Sequence, residues 1–289
     1  MAQPVIMHVN YCEQGQTIEE MCTKAVRWGF DGIEFRRQRR SVPESVEEYL
    51  DSIAAAQRKS GLRYVLFGGP GPDLMVSSAD EREANLAEYE HFFTLAAQRF
   101  ELTVCNTMAG SLRNPDRSVP YAQYDKQGSA VATEEHWQQA AQGFKRLGEL
   151  AGTLGFRLAF ETHMGYLHDL PAPSRRLVDM IDNPAVGINL DHGNVVFFQG
   201  TRSVADSIAE CGDRLYYVHL KNSVRLPSGG RLASALGEGE INNREFLQLL
   251  KASGYDGPLC IEAPRAGDRE WYAQQDIRYI RAVLSELDW

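Results

Sequence analysis

Four segments in the second half of the chain set a carboxylate or an imidazole directly behind a short apolar run. They are Phe160-Glu161-Thr162-His163, Leu190-Asp191-His192-Gly193-Asn194, Val218-His219-Leu220-Lys221 and Ile261-Glu262-Ala263-Pro264. Two Glu, one Asp and one His make a hard, oxygen-rich donor set, which suits Mn2+, Mg2+ or Co2+ better than it suits the sulfur-rich chemistry of structural zinc. Buried together without a cation, the three carboxylates would repel one another. The four groups become neighbours in space if the apolar runs are parallel strands whose C-terminal ends converge.

Strand alternation extends this set. His163 lies two residues past Glu161 and Lys221 two past His219, so a continuing strand points both toward the side of the proposed ligands, where they are candidate substrate contacts. The same parity couples Glu34 with Arg36 after the second apolar run, and it turns His192 away from the ligands as a packing group. Arg36 opens a basic run, Arg36-Arg37-Gln38-Arg39-Arg40, whose remaining members read as a solvated loop. His168 and Asp169 read as a loop ahead of a fifth helix, and Gly237-Glu238-Gly239 as a turn, since its carboxylate opposes an anion.

Eight elements must position these groups. Short runs rich in β-branched and aromatic residues, Pro4 to Val9, Gly32 to Arg36, Arg63 to Phe67, Leu102 to Asn106, Arg157 to His163, Val186 to Asp191, Leu215 to Lys221 and Pro258 to Ala263, alternate with stretches of helical period. Between the first two, Thr17 and Glu20 form a capping box, Ile18, Met21, Cys22, Ala25 and Val26 a stripe, and Gly29 a stop. Ahead of the last strand, Asn242 and Glu245 open a helix, Phe246, Leu247, Leu249 and Leu250 face the core, and Gly254 closes it. Eight strand-helix units in 289 residues predict an α/β fold of the (β/α)8 TIM barrel type, a single domain over residues 1–289. Two long connections, Gly110 to Ala132 and Asn222 to Ile241, follow strands and are expected as loops over the barrel mouth.

On these residues the sequence resembles the xylose isomerase-like barrels, a superfamily of sugar phosphate isomerases and epimerases, inosose isomerases and dehydratases, and dehydroshikimate dehydratases. The resemblance runs through Gly29-Phe30-Asp31-Gly32-Ile33-Glu34, the Glu161, Asp191, His219 and Glu262 quartet, and Gly237-Glu238-Gly239-Glu240-Ile241-Asn242. It implies one divalent metal ion held by the quartet, Mn2+ first, with Mg2+, Co2+ or Zn2+ as alternatives. It also implies a small polyhydroxylated carbonyl substrate, an enediolate, and proton transfer by Glu161 and Glu262 on opposite faces. Arg225, six residues after His219, resembles a substrate-holding Arg of the epimerases, and a homo-oligomer is consistent with the family. Tagatose-type epimerases carry a Glu and a His where this chain has Leu167 and Asn194, so Asn194 is a substrate-binding candidate of different chemistry. Leu232 and Ser234 stand where the abasic-site endonucleases of the superfamily need further metal ligands.

The expected function is a metal-dependent isomerase or epimerase. One alternative is a dehydratase or other lyase with His163 as base, and another is a non-catalytic sugar-binding or partner subunit. Thirty-nine acidic against 30 basic side chains give a net charge of −9, a field that disfavours nucleic acid and anionic membrane surfaces. Five dispersed cysteines without a Cys-x-x-Cys pair, no long apolar run and no charged lead before an apolar N-terminal core imply reduced thiols and a cytoplasmic location.

Overall fold

The computed structural model describes residues 3–39, 42–198, 200, 202–227 and 229–289. Arg40 of the basic run and Ser228 of the second long connection lie outside the described residues. In chain order the strands are β1 (Val5–His8), β2 (Gly32–Arg36), β3 (Tyr64–Gly68), β4 (Val104–Thr107), β5 (Arg157–Glu161), β6 (Val186–Asp191), β7 (Leu215–Leu220), β8 (Ser223–Arg225), β9 (Arg231–Ala233) and β10 (Leu259–Ile261). The helices are α1 (Ile18–Trp28), α2 (Val46–Ser60), α3 (Ala79–Ala97), α4 (Glu134–Leu154), α5 (Pro171–Ile181), α6 (His192–Val195), α7 (Val204–Cys211), α8 (Asn243–Ala252) and α9 (Arg269–Glu286).

The chain forms two compact units. The first holds residues through Leu66, Arg99–Glu101 and Val218–Trp289, and the second Phe67–Gln98 and Leu102–Tyr217. In the first unit the strand order is β3-β2-β1-β10-β7. Parallel registers set Met7 beside Ile33 and Ile261, and Cys260 beside His219. In the second the order is β7-β6-β5-β4, and parallel registers set Phe160 beside Thr107 and Ile188. All eight expected strands are present.

Local chemistry explains the helix starts and stops. Thr17 Oγ1 accepts the Glu20 N–H at 3.2 Å while Glu20 accepts the Thr17 N–H at 2.7 Å, and Gly29, at φ 95°, ends α1. Ser45 with Glu48 repeats the device at α2. Ile18, Met21, Cys22 and Ala25 are buried as expected, but Val26 is 38% exposed. At about 100° per residue it falls about 80° around the helix from Ile18, on the shoulder of the stripe. Leu249 in α8 is half-buried for the same reason, while Phe246, Leu247 and Leu250 are buried.

Three expectations need correction. β5 stops at Glu161 and β7 at Leu220, so His163 and Lys221 lie beyond the pleat, and alternation does not fix their direction. The chain turns there: the Tyr166 N–H reaches back to the His163 carbonyl at 3.3 Å. The second long connection is an antiparallel hairpin of β8 and β9, with Val224 opposite Leu232. The first carries two 3-10 turns, Tyr124–Lys126 and Gly128–Val131, and a bridge from Ser111 to Tyr166.

The core of the second unit bears directly on Glu161. Phe160, one residue before it, stacks on Phe144 of α4 with ring centroids 5.4 Å apart, and both rings are fully buried. Phe144→Ala should therefore cost about 3–5 kcal/mol in urea unfolding. A loss below about 1 kcal/mol would show that the site collapses around the gap and that this stack does not anchor β5.

Candidate metal centre

In the second unit, Glu161 ends β5 at 3% exposure and Asp191 ends β6 fully buried. Two amides hold Glu161. Asn106 Nδ2 of β4 donates to Oε2 at 3.0 Å, and Asn194 Nδ2 donates to Oε1 at 2.9 Å. The same Asn194 nitrogen lies 3.0 Å from Asp191 Oδ2 and 3.0 Å from the Thr162 carbonyl. Asp191 Oδ1 in turn caps the short α6 by accepting the Asn194 N–H at 3.2 Å. Asn194, expected at the substrate, has its amide nitrogen committed to joining the two carboxylates. The strand-to-helix turn straight after Asp191 puts it there.

Behind Glu161 stands a group that the sequence reading set aside as loop. His168 is fully buried, its Nδ1–H donates to the Glu161 carbonyl at 2.6 Å, and Nε2 accepts the Ala109 N–H at 3.1 Å. Burial lowers its pKa to about 4, so the ring is neutral near pH 7, as this pair of bonds requires. Asp169 beside it is also buried and is pushed up to about 7 by desolvation, although its Oδ2 accepts the Ser129 N–H at 3.0 Å. His168 braces the end of β5, and Asp169 holds the loop at Ser129. The signal was the apolar frame of Leu167 and Leu170 around a His-Asp pair. His163 is half-buried, its Nδ1 is 3.0 Å from the Met164 carbonyl, and its ring meets Tyr166 edge-on at 5.2 Å. His192 is buried and lowered to about 4 by desolvation, in keeping with a packing role.

In the first unit, His219 of β7 lies between two carboxylates. Nε2 is 2.9 Å from Glu34 Oε2 and Nδ1 is 2.8 Å from Glu262 Oε2. Lys221 Nζ lies 3.2 Å from Glu262 Oε2, and Asn10 Nδ2 donates to Glu262 Oε1 at 3.2 Å. His8 Nδ1 accepts the Asn10 N–H at 3.2 Å, which leaves its Nε2–H facing Glu34 and Glu262, each at 3.7 Å. Burial raises the pKa of Glu262, but His8, Lys221 and His219 together outweigh it and hold this carboxyl well below its usual range. Glu34, expected at the substrate, sits on the far nitrogen of His219. Arg36 grips Glu13 through Nε at 2.5 Å and Nη2 at 3.0 Å. Arg225 is exposed on β8, opposite Arg231. His8 and Asn10 were missed, although the run Val-Ile-Met-His repeats at β1 the apolar-then-ligating pattern of the later strands.

Residues 22–283 match the family model described as the xylose isomerase-like TIM barrel. The chain belongs to this family. An inosose dehydratase of Clostridium perfringens is 26% identical over 171 residues, and that match spans 53% of this chain and 57% of the dehydratase. The chain thus covers little more than half the length of that relative. A xylose isomerase-like barrel protein from Mycobacterium smegmatis, solved in complex with magnesium, superposes with TM-score 0.77 at 18% identity, covering 98% of this chain and 97% of that one. A D-psicose 3-epimerase from Clostridium cellulolyticum H10, solved with D-tagatose, gives TM-score 0.76 at 17% identity over 98% and 99%. The fold is the expected (β/α)8 barrel.

The donor chemistry of this barrel fits a divalent cation. A proton on His219 Nε2 serves Glu34 and leaves the Nδ1 lone pair facing a carboxylate oxygen of Glu262, an arrangement that calls for a positive centre or a second proton. All five cysteines are free and buried, and one of them, Cys260, lies close enough to Glu34 and His219 for the three to offer a ligand atom each. No helix among the described residues is long and apolar enough to cross a membrane.

His168 yields a pH prediction. Its folded pKa of about 4 lies below the ordinary imidazole value of 6.5, so the unfolded chain takes up the proton first and stability is lost as pH falls through that interval. Asp169, raised to about 7, works in the opposite direction, so the comparison must isolate the imidazole. The stability advantage of the parent over His168→Asn should shrink by about 2 kcal/mol between pH 7 and pH 5 in urea unfolding. An advantage that stays constant would mean the ring is not held neutral.

Proposed function

We propose that this chain is a divalent-metal-dependent enzyme of the sugar isomerase, epimerase and lyase kind, which moves a proton beside the carbonyl of a small keto-sugar or related polyol. The observation that carries this reading is the His219 ring, fixed by Glu34 with its other nitrogen turned to Glu262. Glu161, Asp191, His219 and Glu262 would hold the cation, each supplying one oxygen or nitrogen. In a parallel barrel these four residues end consecutive strands on the catalytic face. Bound there, the cation supplies Lewis-acid stabilisation of the oxyanion that develops when a carbon-bound proton next to a carbonyl departs.

The protein's own groups do the rest. Glu262, held ionised by His8 and Lys221, is a carboxylate ready to accept a proton. Glu161, oriented by Asn106 and Asn194, is the second carboxylate for return of a proton to the other face. Lys221 and His163 are the cationic and imidazole groups left to orient hydroxyls. Mn2+ is the preferred ion, and Mg2+, named in the mycobacterial relative's structure, is the first to compare with it.

Elimination of water is the second reading. The inosose dehydratase relative carries that activity in its name, and Asn194 and Leu167 replace the His and Glu of the tagatose-type epimerases. Loss of the proton is shared, and His163 would then serve the departing hydroxyl.

The test is proton NMR in D2O on chelator-stripped protein given Mn2+, Mg2+ or Co2+, with a panel of ketoses, inososes and keto-glycosides. Deuterium should enter beside the carbonyl of a processed substrate, and Glu161→Gln and Glu262→Gln should each slow exchange by about 10²–10⁴-fold. An isomer of unchanged mass supports the first reading, and an ultraviolet-absorbing alkene the second. Full exchange in both variants would sink the assignment of the two carboxylates.

A further inference from the structure

A cavity of about 450 Å3 with a mixed polar and apolar lining lies in the first unit, at the C-terminal ends of β1 and β2. Ligand pockets are commonly about 300–1,000 Å3, so this one is of ordinary size for a small molecule. Three guanidinium groups line it, from Arg36, Arg39 and Arg269, against the one carboxylate of Glu13. That balance is opposite in sign to the chain's net charge of −9.

Two of the three arginines are already matched. Arg36 is in a fork with Glu13, and Arg39 is in a fork with Glu44, which is not part of the lining. Arg269, at the first turn of α9, differs. It is half-buried, its Nη1 donates to the Asn10 carbonyl at 2.8 Å, and no carboxylate pairs with it among the described residues. A planar guanidinium held by one neutral carbonyl keeps several donors for a ligand, in the geometry that suits a two-oxygen acceptor. Met21 and Phe35 give the cavity an apolar floor, and low polarity strengthens a charged hydrogen bond made above it.

We propose that this pocket is a binding site for a small oxyanion, a carboxylate or phosphate group, with Arg269 as its direct partner and Arg36 and Arg39 as supporting charges. Arg36 follows Glu34 by two residues on β2, so the site adjoins the end of the strand that carries the His219 partner. None of its three arginines hydrogen-bonds Glu262 or His219, and Arg269 reaches Glu262 only through Asn10, whose carbonyl it holds and whose side-chain amide donates to Glu262.

Isothermal titration of the whole protein with inorganic phosphate and, separately, with glycolate at fixed ionic strength tests this. One of the two anions should bind saturably at one site, and the one that does tells a phosphoryl from a carboxylate ligand. Arg269→Gln should weaken that binding at least tenfold with an unchanged circular dichroism spectrum, while Glu161→Gln leaves it intact. If Arg269→Gln does not fold, Arg39→Gln carries the same expectation. No saturable heat with either anion would overturn the proposal. So would binding that survives both arginine variants, and so would binding lost in Glu161→Gln, which would move the anion to the metal centre.

Discussion

An imidazole pressed between two carboxylates governs the first unit. Glu34 and Glu262 approach opposite nitrogens of His219 at 2.9 and 2.8 Å, with the ring and Glu34 fully buried and Glu262 half-buried. Such a sandwich is stable only if a positive charge, as proton or metal, answers two negative ones. His8, Asn10 and Lys221 crowd around Glu262 for the same reason: a carboxylate withdrawn from most of its water needs donors in the protein. The strands β1, β2, β7 and β10 are tied together at this point as much by side chains as by the sheet ladder.

The second unit solves the same problem with neutral donors. Asn194 bridges Glu161 and Asp191, and Asn106 takes the remaining face of Glu161. Amides orient a carboxylate without cancelling its charge, so both acids stay anionic donors with a fixed direction. His168 adds rigidity from behind by fixing the backbone on which Glu161 is mounted.

Much of this was legible in the sequence because it is local or periodic. Eight apolar runs with helical stretches between them dictate strands and helices, and the Thr17–Glu20 capping box and Gly29 mark α1 to the residue. Glu161, Asp191, His219 and Glu262 stand out because a charged residue at a strand end is a local pattern. The roles of Asn194, Glu34 and His168 were not legible, because each is set by a partner that only the folded chain supplies: Glu34 meets His219 across 185 residues. β5 and β7 end short of His163 and Lys221 because the backbone leaves the ladder there, and alternation along a sequence carries no mark for that departure. The β8–β9 hairpin leaves no mark in the sequence for a related reason, since its three-residue strands are too short to show alternation.

The His168 ring joins the Glu161 carbonyl to the Ala109 amide, and so fastens the loop after β4 to the end of β5. Because Asn106 lies on that same stretch of β4, the loop and the carboxylate share one opening event. Amide hydrogens there would exchange together, at a rate set by whatever frees the imidazole. The loop is thus kinetically part of the floor beneath Glu161, and substitutions in it, remote from that carboxylate, would be felt as looseness in Glu161.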